Sequence, residues 1–591
     1  MKKVWKGFAA AVSAAAIAAT GFIGATSAYA DYGVPMTTTN TITINNAHKD
    51  DVFKGYRILN LESQKDTQYI YLVNDDYKNQ TVAGIRAVEP TWKQDDAVAD
   101  IEDKDIIDWI TGTHKETVEE QEQDVANLNN VSIDTFARAF VKALPENATA
   151  TFTTTAPQAD GNVTVAEQRV GYYLISQGTI GTPDKYTATR YLIGTNGSTT
   201  DTALTVNLKA GTVEAIKKVQ EDDTKNPAIG TGSFNGENLD SNYNDVADYE
   251  IGQKIPFEFR GTVPDNFDAI TPFKYVFHDT MTEGLTFNND VEVYVNSVLN
   301  NNKIVNPTGD GTTPFYQVLT SGIDDETFNV SFADLHQVTY GTNTKIAAGD
   351  TIIVRFTGKL NNNAVIGNTD TSNNINSMQL EFSNNPYDAT DTEKTPPDKV
   401  VIFTYDLGID KYATGDTSQK LDGAQFKLYN GNGNDKKAAV VTNGKFVEWV
   451  TETAEGVTPA VKGTTLTTSD GGKIKIEGLD SGTYYLEETK APEGYNKIEG
   501  LIKVELKATT SNVQNWSGEN ANGMVTNIGT STTVPGQAPV NGNTTVGIAN
   551  SAGSALPETG GMGTTVLYVA GAAIVLIAGI GLAVALRRRQ A

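Results

Sequence analysis

Apolar and polar residues alternate along most of this chain, which is the period of half-buried β-strands. Asn40-Thr41-Ile42-Thr43-Ile44-Asn45 opens the pattern, and residues 255–262, 273–279, 291–295, 351–358 and 378–384 continue it. Two stretches change to a helical period. One is 105–110. The other starts at Ser132, a residue type suited to an N-cap, and sets Ile133, Phe136, Ala137, Phe140 and Leu144 on one face before Pro145 ends it. Strand returns at 172–175. The expected fold is mainly β: tandem Ig-like β-sandwich domains, some helix in the first, and a C-terminal transmembrane helix.

Breaks in the pattern divide the chain. Residues 1–30 read as a signal peptide, with Lys2, Lys3 and Lys6, an alanine-rich apolar stretch and a small-x-small end at Ala28-Tyr29-Ala30. An N-terminal domain is expected over 31–209, a middle domain over 210–399 and a C-terminal domain over 400–529. Residues 530–555, rich in Thr, Gly, Asn and Pro, read as a linker. Residues 556–591 hold a polar pentapeptide, an apolar run from Val566 to Leu586 long enough to cross a bilayer, and Arg587, Arg588 and Arg589 on its cytoplasmic side.

Composition narrows the function. The chain carries a formal charge of −26 and no cysteine. The segments 1–30 and 560–591 hold six basic residues and no acidic one, so the part between them carries −32. Such a surface repels nucleic acid, and an exported chain without thiols has no disulfides to stabilise it. Four scattered histidines offer neither a metal site nor a nucleophile–His pair, and no cofactor is expected. His278 stands beside Asp279 but on the opposite strand face.

The C-terminal pentapeptide Leu556-Pro557-Glu558-Thr559-Gly560, with the apolar run and arginines after it, resembles the LPxTG sorting signal of Gram-positive surface proteins. The resemblance implies that a sortase cuts between Thr559 and Gly560 and passes the Thr559 acyl group to an amine. An ordinary membrane anchor would account for the apolar run but not for the pentapeptide.

A second motif, Gly482 to Tyr495 (GTYYLEETKAPEGY), resembles the E-box of pilin subunits and collagen-adhesin B-type (CnaB) domains. In that family a lysine and an asparagine form a spontaneous amide bond assisted by the box glutamate. Strand parity puts Glu488 on the face of Tyr484 and Leu486, Lys411 on that of Leu407 and Ile409, and Asn527 on that of Val525. Burial favours a neutral amine and a neutral acid, which is the state needed for amine attack on a carboxamide. The bland alternative is a buried salt bridge with an unrelated asparagine. The middle domain repeats the logic. Lys217 shares a face with Val213, Ala215 and Val219; Asp279 with Phe273, Tyr275 and Phe277; Asn384 with Met378, Leu380 and Phe382. Its segments resemble the CnaA-type middle domain of backbone pilins, which implies a Lys217–Asn384 bond assisted by Asp279, with Asn385 the second choice. In the N-terminal domain, Gly171 to Ser176 starts like an E-box, but Ser176 stands where the glutamate would be. No bond is expected there.

The resemblance to sortase-assembled backbone pilins extends over the whole chain. It implies a non-enzymatic structural subunit, anchored in the cell wall and polymerised into a fimbria. Its partners would be a class C sortase, a housekeeping sortase, other copies of itself, accessory pilins and peptidoglycan, with host extracellular matrix or mucosal glycans as further candidates. The acceptor amine in that family lies between the first two domains, within a YPKN motif that this sequence lacks. Lys209 occupies the equivalent place. The alternatives are a monomeric wall-anchored matrix-binding adhesin, which needs no acceptor lysine, and a minor pilin.

Overall fold

A computed structural model describes residues 38–553 apart from short internal stretches, the longest being 223–232. The signal peptide, Lys209, Leu556 to Gly560 and the apolar run 566–586 lie outside the described residues. Among the described residues no helix is long and apolar enough to cross a membrane.

The first domain packs three helices, Lys78–Val88, Asp103–Thr111 and Ser132–Lys142, beside a sheet built on the long strand Val52–Lys65. Phe136, Phe140, Ile85, Ile106 and Trp109 close the space between them. Ser132 does not act as expected. It is the first helical residue, and its hydroxyl donates to the Asn127 carbonyl at 2.6 Å. The helix Lys78–Val88 escaped sequence reading because two polar residues, Gln80 and Thr81, lie on its buried face.

The middle domain is a sandwich of two sheets. One runs Tyr243–Asn244, Ala215–Gln220, Lys254–Thr262, Thr351–Leu360, Leu285–Phe287. The other centres on Asp398–Phe403, Asn374–Ser383, Tyr275–Met281 and Phe328–Phe332. Alternation drives it: every second residue of each strand points into a core of rings, with Phe259 stacked on Phe277 at 5.7 Å and Phe287 on Phe328 at 3.8 Å. Each buried phenylalanine contributes about 2–3 kcal/mol by burial. The sheets approach so closely that a Cβ on Gly261 would fall 2.4 Å from the Tyr275 hydroxyl.

Two boundaries differ from expectation. Residues 398–403 pair with Asn374–Ser383, so the middle domain runs on to Phe403 and the C-terminal domain starts at Tyr405–Ala413. The segment 530–555 is not simply a linker. Val525–Thr533 crosses into it, Val540–Gly542 pairs back on that strand, and Thr545–Asn550 lies parallel to Tyr405–Ala413, with Lys411 opposite Ile548 and Ala413 opposite Asn550. Val546 and Ile548 of this closing strand are fully buried. Polar composition concealed a short alternating strand.

Candidate functional site

Among the described residues two lysines are wholly buried, one in each of the last two domains. Lys411 sits on the inner face of Tyr405–Ala413, a strand whose residues are alternately buried and half-buried throughout. Its Nζ contacts Asn550 Oδ1 and donates to the Ile548 carbonyl at 3.2 Å. Glu488, on Gly482–Lys490, reaches the same point: its Oε1 lies 3.6 Å from Lys411 Nζ. The Asn550 Nδ2 group donates to both Glu488 oxygens at 3.1 Å and to the Asn496 carbonyl at 2.8 Å. The Ile498 N–H fixes Glu488 Oε2 at 2.7 Å. The amine thus meets the oxygen side of the carboxamide, and the carboxyl group meets its nitrogen side. Burial pulls the Lys411 ammonium down to about 8, against the opposing charge of Glu488.

In the middle domain Lys217 projects from one sheet and Asp279 from the other. Lys217 Nζ lies 2.5 Å from Asp279 Oδ2, with both side chains fully buried. The Phe259 ring centroid is 4.5 Å from the ammonium, and Phe257 and Phe356 lie at 5.7 Å. Burial lowers Lys217 to about 8 and raises Asp279 to about 6. Both shifts move the pair toward the neutral amine and neutral acid, the state that amine attack on a carboxamide requires.

The asparagine beside this pair is Asn376. Asp279 pairs in register with Met378 and Met281 with Asn376, so Asn376 is a near neighbour on the inner face. It is fully buried, and its amide is close enough to pull on the Asp279 carboxyl. Neither amide atom has a hydrogen-bond partner, nor does Asp279 Oδ1. Three unsatisfied buried polar atoms at one point are costly unless chemistry consumes them.

The expected acceptors are placed elsewhere. Asn384 lies six residues after Met378, just past the end of its strand and about 20 Å away at strand rise. Its carbonyl accepts from Ala188 N, and it lines a polar cavity with Gln177 and Gly178 of the first domain. Asn385 is half-buried and donates from Nδ2 to Asp391 at 3.0 Å. Asn527 belongs to Val525–Thr533, which pairs with Leu501–Thr510 and Val540–Gly542, whereas the Lys411 strand pairs with Thr545–Asn550; its side chain lies outside the described residues. Parity could not separate Asn376 from Asn384, which share a face; pairing with the Asp279 strand does. Asn550 was signalled by the alternation Val546, Ile548, Asn550.

Ser176 is buried and pairs in register with Lys54, whose side chain is exposed. His278 faces away from Asp279 and bridges Glu326 and Glu381 at 2.9 Å each.

The class these features define is a tandem β-sandwich protein with a buried lysine–carboxyl–asparagine set in each of its last two domains. Residues 406–520 match the SpaA family model, described as a prealbumin-like fold domain. No curated protein matches the sequence. Among solved structures, the T6 backbone pilin of serotype M6 Streptococcus pyogenes is similar at 15% identity, over 88% of this chain and 100% of that one, with a TM-score of 0.47. The group B streptococcus pilus 2b backbone protein shares 23% identity over 53% and 97%, with a TM-score of 0.36. The major pilin SpaD of Corynebacterium diphtheriae shares 14% over 87% and 98%, with a TM-score of 0.43.

Proposed function

We propose that this chain is a structural pilus subunit, exported, linked into a covalent fibre by sortase, and hardened by two internal amide bonds. The observation that carries the internal bonds is the Lys411–Asn550–Glu488 contact set. In the reaction, neutral Lys411 Nζ attacks Asn550 Cγ, the Cγ–Nδ2 bond breaks, and Nδ2 leaves as ammonia with protons relayed through Glu488. The product is an amide between Nζ and Cγ. Lys217, Asn376 and Asp279 would do the same in the middle domain, where two sheets would be joined. Burial and contact supply proximity without any cofactor. The chain acts on no other substrate in this reading. It is a substrate of sortase, carrying Thr559 as donor and Lys209 as acceptor at the cell wall. The SpaA-type domain match supports the pilin-type reading.

Intact mass tests the bonds. The folded chain should fall short of its sequence mass by two ammonia molecules, about 34 Da. Asn550→Ala and Asn376→Ala should each abolish one loss, whereas Asn527→Ala and Asn384→Ala should abolish none. A full sequence mass would end the bond proposal. A detergent-resistant ladder in cell-wall extract, as against a single band, tests polymerisation.

A further inference from the structure

Where the middle domain meets the C-terminal domain, acidic side chains from both converge. Asp248 ends the strand Val246–Asp248, which runs parallel to Val401–Phe403. It is fully buried, and neither carboxyl oxygen has a hydrogen-bond partner. The Tyr405 hydroxyl and the Ser481 hydroxyl lie beside it, close enough to interact but outside hydrogen-bond geometry, and they too lack partners. Glu221, also buried, accepts from Asp248 N at 3.3 Å and from Asp222 N at 2.9 Å. Asp480 comes from the other domain and accepts from Ser481 N at 2.7 Å. Asp222 stands at the exposed rim. Tyr243, Tyr249 and Tyr484 complete the surroundings, with Glu250 held by Trp449 Nε1 at 2.8 Å. The charges acting most strongly on Asp248 and Asp480 are all acidic.

The contact around this cluster is tight. Ile251 N donates to the Gly478 carbonyl at 3.0 Å, and a Cβ on Gly478, at φ +89°, would come within 2.3 Å of Ile251. Trapped carboxylates of like charge cannot ionise together without opening such a site to water. Among the described residues no group of three or more acidic or histidine side chains is arranged to hold a metal ion.

We propose that the junction of the middle and C-terminal domains is a proton-dependent latch, closed while Asp248 is protonated and loosened when Asp248 and Asp480 ionise together. Burial raises both groups above the ordinary aspartate value of 3.8, and Glu250 to about 7. A raised acid adds stability that is complete below its unfolded value and is lost as pH climbs through its folded value. The junction should therefore be stiffest in mild acid, the reverse of a junction held by salt bridges.

The inference rests on the junction alone and not on polymerisation. The chain has no native cysteine, so Lys345→Cys and Glu455→Cys, both exposed, allow paired spin labels on the two domains of the full chain. The distance distribution should be narrow at pH 5 and broaden at pH 8, with the melting of these two domains falling by more than about 4 °C. Asp248→Asn should stay narrow at both values. If that variant does not fold, Asp480→Asn, half-buried at the same junction, serves in its place. Unchanged distances between pH 5 and pH 8, or an equal broadening in the asparagine variant, would overturn the latch. Closure at pH 8 by added calcium or magnesium would overturn it in favour of a cation site.

Discussion

At the scale of single residues, the chemistry turns on where one proton sits. Between pH about 6 and about 8 the Lys217–Asp279 pair holds a single mobile proton on the amine and can shift it to the acid. Below about 6 a second proton enters and Lys217 stays charged and unreactive. Above about 8 the proton is gone and Asp279 has none to give. Bond formation in the middle domain should be level across that window and fall about tenfold per pH unit on either side. Chain recovered unlinked from inclusion bodies, refolded between pH 5 and pH 9 and followed by intact mass, gives the profile. A rate still climbing at pH 9 would remove Asp279 as the acid. Glu488→Ala in the C-terminal domain should leave Lys411 and Asn550 unjoined. They are 139 positions apart, and losing a cross-link over a loop of that length costs about 5 kcal/mol. Calorimetry showing an unmoved C-terminal transition would contradict this.

At the scale of elements, parity was legible and pairing was not. Alternation placed Lys217, Asp279, Lys411 and Glu488 on inner faces, and those side chains are fully buried. Alternation also gave the long strands of the middle domain to within a few residues. It could not tell Asn376 from Asn384, because choosing between residues of equal parity needs the register with a neighbouring strand. The closing strand was missed for a related reason. Thr545, Gly547 and Ala549 face outward or are small, so six residues contribute only two large apolar side chains. Those two matter. Deleting 545–553 removes Val546 and Ile548 from the core and uncovers the Lys411 strand. At about 2 kcal/mol for each side chain, and more for an uncovered edge, the C-terminal domain should lose cooperative unfolding. Far-UV melting of the truncated chain checks this, and an intact transition would return 545–553 to the status of linker.

At the scale of the whole molecule, the proposed assembly needs an amine that sortase can reach and that no domain core consumes. In the sequence Lys209 stands eight residues before Lys217, at the expected boundary of the first two domains. Lys209→Arg keeps the charge but offers no usable nucleophile. The variant should fold, show both ammonia losses, remain attached to the wall through Thr559, and yield monomers where the unaltered chain yields a ladder. A persisting ladder, with the Thr559 linkage mapped to another lysine such as Lys218 or Lys225, would move the acceptor without touching the internal bonds. Head-to-tail joining of this kind does not close on itself and grows as a filament.

The parallel pairing of the first and last strands of the C-terminal domain also decides how tension would pass through it. Tyr405–Ala413 is entered from the middle domain at its N-terminal end, and Thr545–Asn550 leaves toward the C-terminus at its far end. Pulling on those two ends slides parallel neighbours along each other. The six paired positions from Gly408–Thr545 to Ala413–Asn550 then resist at once, in shear, instead of parting one after another as in a peeled hairpin. The domain would thus be stiff along the fibre axis even before any amide forms. The bond would convert an already simultaneous rupture into one that cannot occur without breaking a covalent link.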